Sequence, residues 1–226
     1  MRRGQRPGLR VALLGALAGL CLPLLSHGSD GIGPLLHQLG ATERPVLAGR
    51  RMLSLEILEP FYTARDDALA WTNDRQRADF LALLGRADEH GMRPADFFHD
   101  TLVAGLADPV SDPAVLDLLL SEALARYAYN RVFGKVNPVT IDRDINFQRS
   151  FRRDAPPAET MAWLLDQPDL AAAIDGIAAH GPWYRSLQTM LRDLHARQDD
   201  GGWPVVPEGD TLHPGDRDAR RVPALR

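Results

Sequence analysis

His90 and His180 each stand immediately before a glycine at the end of a predicted helix. An imidazole there can bond the last carbonyls, so a capping role is expected. Neither histidine has a cysteine, a serine-plus-acid pair or a ligand cluster near it in sequence. His195 is expected on the exposed side of its helix, and no two histidines have the i, i+4 spacing of a helical zinc site. Asp96, His99 and Asp100 form a compact mixed cluster that would share one face of a helix. A metal centre needs further ligands from elsewhere, so a solvated helix end is expected there.

The adjacent carboxylates Asp66–Asp67, Asp142/Asp144 and Asp199–Asp200 fall in predicted turns or loops. Glycosidase chemistry needs two carboxylates held across a cleft, one with a raised pKa. Glu56, Glu59 and Glu89 remain the acids that could face a cleft, which keeps open an independent enzyme with a carboxylate site. There is no G-x-S-x-G elbow, no S-x-x-K motif and no phosphate-cradling glycine loop. Arg143, Arg149, Arg152 and Arg153 alternate with Phe147 and Phe151 in a polar stretch. Its arginines could grip carboxylates, or its phenylalanines could pin the loop while the arginines stay solvated, the more ordinary arrangement. No catalytic, cofactor-binding or metal-binding residue is assigned, and no cofactor is expected.

The elements that must position these groups are helical. Residues 29–50 are punctuated by Gly and Pro and read as a lead-in with one weak helix around Leu35, Leu36 and Leu39. Leu58, Phe61, Tyr62 and Arg65 fit helical spacing, with a break or kink possible at Pro60. Asn73–Asp74 starts a helix that His90–Gly91 closes, and Pro94 opens another to about Ala104. The clearest helix has Asp112 as cap, Pro113 at its first position, a broad stripe from Leu116 to Tyr127, and Gly134 as its end. A long surface loop over 135–155 is expected. Helices follow at 156–166, 168–179 and 182–197, the last with Trp183, Leu187, Met190, Leu191 and Leu194 on one side. Residues 203–207 read as extended, and Gly215–Asp218 as the start of a last helix. Phe61, Tyr62, Trp71, Tyr127, Trp163, Trp183, Tyr184 and Trp203 are expected in the core, Trp203 partly exposed. The fold class is mainly α, with a few short extended segments.

The first 28 residues carry Arg2, Arg3, Arg6 and Arg10, an apolar run from Val11 to Leu25, and Ser26-His27-Gly28. This is the pattern of a secretory signal peptide, cut after Gly28; an uncleaved anchor is the competing reading. The apolar run falls short of the roughly 20 residues that span a bilayer. Cys21, the single cysteine, lies inside it, and Leu20 before it is too large for a lipoprotein site. Cleavage would leave 198 residues without cysteine, with 22 basic against 30 acidic side chains. That excludes disulfides, thiolate zinc sites and cysteine nucleophiles from that part, and argues against nucleic acid or an anionic membrane surface as partner.

Several blocks occur in fixed order: Glu59-Pro60-Phe61-Tyr62-Thr63-Ala64-Arg65 to Trp71, His90 to Phe97, Asp117 to Ala128, Tyr184-Arg185-Ser186-Leu187, Gly201-Gly202-Trp203-Pro204 and Gly215-Asp216-Arg217-Asp218. No block is specific alone; order and spacing carry the match. Over residues 45–226 the chain resembles the N-terminal scaffold region of the large periplasmic murein L,D-transpeptidases. Those enzymes carry a scaffold domain, a peptidoglycan-binding module and a YkuD-type cysteine catalytic domain. The resemblance implies a leader at 1–28, a helical scaffold domain at 29–200, and a linker with a truncated start of the peptidoglycan-binding module at 201–226. It implies a role in cell-wall cross-linking, a periplasmic location, and as partners peptidoglycan, peptidoglycan-synthesis proteins or a catalytic domain encoded nearby. The family's catalytic cysteine segment and upstream histidine have no counterpart here, so no catalytic residue carries over and the chain alone is expected to be inactive. A stand-alone periplasmic adaptor is the alternative. A scaffold parted from the domains it mounts is expected to leave a sizeable bare apolar patch.

Overall fold

The computed structural model describes residues 31–136, 141, 155–178 and 181–224. The leader and the arginines and phenylalanines of the 143–153 stretch lie outside the described residues, as do His180 and the Asp142/Asp144 pair. The architecture is mainly helical with one two-stranded hairpin. Among the described residues no helix is long and apolar enough to cross a membrane.

The central element is α5, Pro113–Phe133. The Asp112 carboxylate accepts from Ala114 N at 2.8 Å, Pro113 fills the first position, and Gly134 (φ 78°) ends the helix. At 1.5 Å per residue it runs about 30 Å. It is buried around most of its girth, with Leu118, Leu119, Leu120, Ala123, Leu124 and Tyr127 out of solvent.

The other helices wrap α5. α1, Ile32–Gly40, buries Ile32, Leu35, Leu36 and Leu39 at i, i+3, i+4 and i+7, and contacts α2 and α5. The expected lead-in is therefore part of the core. β1, Val46–Leu47, pairs antiparallel with β2, Arg50–Arg51, through Ala48 and Gly49 at φ 46° and 73°. Two left-handed residues suit the twist of a tight hairpin. The sequence hid this turn because alanine, not Asn or Asp, holds its first position.

α2, Leu55–Thr63, continues through Pro60, and Ala64 N still reaches the Pro60 carbonyl at 3.1 Å. α3, Asp74–Gly85, is capped by Asn73, which accepts from Gln76 N at 3.2 Å. It stops five residues before the expected end. A separate 3₁₀ turn, Ala87–His90, then closes on Gly91 (φ 70°).

The helix expected from Pro94 to about Ala104 is two pieces. A 3₁₀ turn, Pro94–Phe97, ends at Phe98 (φ 62°), and α4, His99–Ala107, begins afterwards. Left-handed phenylalanine is strained. The Phe98 ring is held under the Arg126 guanidinium at 4.6 Å, with Arg50 at 6.0 Å. α6, Pro157–Leu165, and α7, Leu170–Ile177, follow as expected, and Asp169 caps α7.

α8, Pro182–Asp199, lies at the edge of the body, touching the 3₁₀ turn at 87–90. Trp183, expected in the core, is exposed, and Trp203 is exposed as well. Residues 203–207 form no ladder. The last helix, α9, begins at Arg221 rather than Gly215, because Asp218 accepts from Arg220 N and Arg221 N at 2.9 and 2.8 Å.

Candidate functional site

One row of α5 carries polar side chains into the core: Asp117, Ser121 and Glu122. Asp117 accepts from Trp71 N at 2.8 Å, Ala70 N at 3.0 Å and the Tyr62 hydroxyl at 2.5 Å. Ser121 Oγ lies 2.6 Å from that hydroxyl and accepts from Trp71 Nε1 at 3.0 Å. Glu122 accepts from Leu53 N at 2.7 Å, Ser54 N at 3.0 Å and Arg126 Nε at 2.6 Å. Arg126 also donates to the Arg51 carbonyl. Burial, reinforced by Asp117, pushes the Tyr62 phenol well above its ordinary pKa. Backbone and side-chain donors occupy these buried acids, which fix the entry to α2 and the 70–71 loop.

The individual candidates separate once placed. Phe98 divides the 96–100 cluster. Asp96 bonds Arg93 at 2.8 Å and Lys135 at 2.6 Å, whereas His99 Nδ1 lies 3.1 Å from Asp100. The Arg93 bond, with Lys135, holds the Asp96 carboxyl down at about 2. Asp66 and Asp67 sit in a left-handed turn at φ 53° and 56°. Glu59 and Asp67 do border a groove of about 530 Å³ with His37 and Thr63, where Gly33 and Gly40 leave room for the two carboxyls. Of the acids that could face a cleft, Glu59 is thus set in a groove beside Asp67. Glu56, Glu89 and Asp199–Asp200 stand exposed elsewhere. No group of three His, Cys, Asp or Glu side chains fit to hold a metal occurs among the described residues.

His90 links two elements. Its Nδ1 lies 2.7 Å from the Tyr184 hydroxyl and 2.9 Å from Gln188 Nε2, contacts that tether α8 to the body. Tyr184 in turn accepts from Arg131 at 2.9 Å, and buried Arg131 pairs with Asp175 of α7. His195, expected on the outer side, is half-buried on the same flank as Tyr184, Gln188 and Leu191.

This tether leaves the apolar stripe of α8 uncovered. Trp183 is 83% exposed, Leu187 66%, Met190 60% and Leu194 41%. The sequence pattern identified the stripe; its spacing does not reveal what covers it. Beyond the helix, Gly202 N returns to the Arg197 carbonyl at 2.8 Å and Trp203 lies 5.5 Å from the Arg197 guanidinium. Among the described residues, α8 thus presents an apolar surface.

No curated protein and no solved structure matches the chain. A family match does exist, to the Scaffold domain, over residues 56–191. It takes in α2 through the first half of α8, including the buried polar row and the His90–Tyr184 tether. The chain belongs to the Scaffold domain family.

Proposed function

We propose that this chain is the scaffold portion of a peptidoglycan L,D-transpeptidase acting in cell-wall cross-linking in the periplasm. The observation that carries the reading is a coincidence of position. The blocks from Glu59 to Leu187 that resemble those enzymes fall inside the residues matching the Scaffold domain. The helical body would supply rigidity. The resembling enzymes place the chemistry on a cysteine domain, whose thiolate takes an acyl group from one stem peptide and passes it to an amine on another. The buried acids here are occupied in holding loops, which agrees with a mounting role.

A stand-alone adaptor that binds peptidoglycan or a synthesis protein is the second reading. The bare face of α8 favours it, since such a face serves docking without any mounted domain. The DNA after the Arg226 codon, read in all three frames, tests the first reading. An S-x-G-C segment in frame, or one base shift away, is the expected result. A stop with no such segment nearby would sink it, and co-sedimentation with purified murein sacculi would then test the adaptor.

A further inference from the structure

Trp183, Leu187, Met190 and Leu194 recur at intervals of four, three and four residues. That is the spacing of a helix–helix seam. The stripe lies roughly 100° around α8 from the flank that holds the body, so it can be covered without releasing the tether. We propose that this face of α8 pairs with the same face of a second copy, in antiparallel orientation.

Three arguments select this occupant. A seam spacing fits another helix better than a flat surface, and a two-fold dimer presents the identical stripe to itself. Next, a dyad between Gln188 and Thr189 sets Trp183 against the partner's Leu194 and Leu187 against the partner's Met190. Every exposed member of the stripe then has an apolar counterpart, the largest opposite a smaller one. A parallel pair would instead stack Trp183 on itself and bring the two Arg197 guanidinium groups together, one helical turn beyond Leu194. The antiparallel pair separates those charges.

The third argument is area. The four side chains expose on the order of 500 Å², the upper range for a monomer's largest apolar patch. Two copies would cover about 1,000 Å², the lower limit of a specific interface. A weak, concentration-dependent dimer follows. The pairing does not depend on whether the chain is a transpeptidase portion or an adaptor.

Sedimentation velocity on the purified chain, with charge-exchange variants, tests this. The wild type is expected to dimerise within a range up to about 100 µM. Leu187→Glu alone and Met190→Lys alone should each weaken association about 10-fold or more, because either buries a charge against apolar side chains. An equimolar mixture of the two variants should recover the dimer, since Glu and Lys then meet across the seam. Both positions are exposed, so thermal unfolding should stay at the wild-type temperature. A wild type that remains monomeric throughout that range leaves the face to a different polypeptide and overturns the proposal. A wild-type dimer indifferent to Leu187→Glu, or a mixture that stays monomeric, overturns it as well.

Discussion

The Tyr62 hydroxyl donates to an Asp117 carboxyl oxygen at 2.5 Å, with both side chains out of solvent. This contact joins α2 to the central helix, and the same carboxyl group holds the backbone of Ala70 and Trp71. One side chain thereby orders a helix and the loop that leads into α3. Its neighbour Glu122 does the same for Leu53 and Ser54 at the other side of α2. The Trp71 ring anchors the 70–71 loop against Phe80, and the hydrogen bonds to Asp117 satisfy its backbone amides.

Replacing Asp117 by alanine would strand the Trp71 and Ala70 amides and take one of its partners from the Tyr62 hydroxyl. The expected loss is about 3–5 kcal/mol, read from urea denaturation. Tyr62→Phe removes the hydroxyl that bonds both Asp117 and Ser121 and should cost about 1–2 kcal/mol. The two losses should be strongly non-additive in a double-mutant cycle. Additive losses would mean that Asp117 and Tyr62 act separately.

Much of this architecture is legible in the sequence, for local reasons. Asn73, Asp112 with Pro113, Gly91 and Gly134 announce helix ends through their own backbone chemistry. The break at Phe98 is not announced, because the arginines that stack on its ring come from positions 50 and 126. The polar row of α5 left a trace: Asp117, Ser121 and Glu122 stand among leucines that are buried around most of the helix. An amphipathic reading assigns such residues to water. Only the neighbouring loops reveal that they are in the core. In α8 the expectation that aromatic residues are core failed for Trp183, which is exposed.

Asp96 gives the fold an acid-sensitive contact. Its carboxyl is held at about 2, against an ordinary 3.8. A depressed acid contributes stability that is complete above the ordinary value and disappears as pH falls through the folded value. The contribution should therefore fade between about pH 4 and pH 2, and the exposure of Arg93 and Lys135 limits it to about 1–2 kcal/mol. Asp96→Asn should be less stable at pH 6 and should lose less than wild type over that interval. Equal losses in denaturation series at pH 5, 4, 3 and 2 would exclude this contact as the cause.

Tyr127 behaves in the opposite sense. Burial pushes its phenol up to about 12 although the nearby Arg131 guanidinium opposes the shift, and among the described residues its hydroxyl makes no hydrogen bond of good geometry. The unfolded phenol ionises near 10, so stability present below that value should be lost as pH rises from about 10 to 12. Tyr127→Phe should remove that component. At pH 7 it should be neutral or stabilising by up to about 1 kcal/mol, because an unsatisfied buried hydroxyl disappears. A loss of several kcal/mol at pH 7 would reveal a bound water or other partner.

The hairpin turn offers a stabilising change. Ala48 sits at φ 46°, where a Cβ is disfavoured and where asparagine is the residue such turns select. Ala48→Asn should raise stability by about 0.5–1 kcal/mol, whereas Gly49→Ala, at φ 73°, should lower it by a similar amount. Opposite signs in thermal unfolding are the expected pattern; a shared sign would mean the turn relaxes on substitution.

The attachment of α8 is separable from the stability of the body. Its flank meets the 3₁₀ turn at 87–90 through His90, Tyr184 and Gln188, and no residue of the helix is fully buried. Tyr184→Phe keeps the ring over which Arg131 lies but deletes the hydroxyl that bonds both His90 and Arg131. Losing one or two such bonds corresponds to roughly 1 kcal/mol of local opening. Amide exchange over residues 184–199 should therefore accelerate about 5- to 10-fold, while the global unfolding midpoint hardly moves. Met190→Ala, on the opposite side of the tether, should leave that exchange unchanged in dilute protein. A uniform acceleration across α5 and α8 in Tyr184→Phe would show instead that the helix unfolds only together with the core.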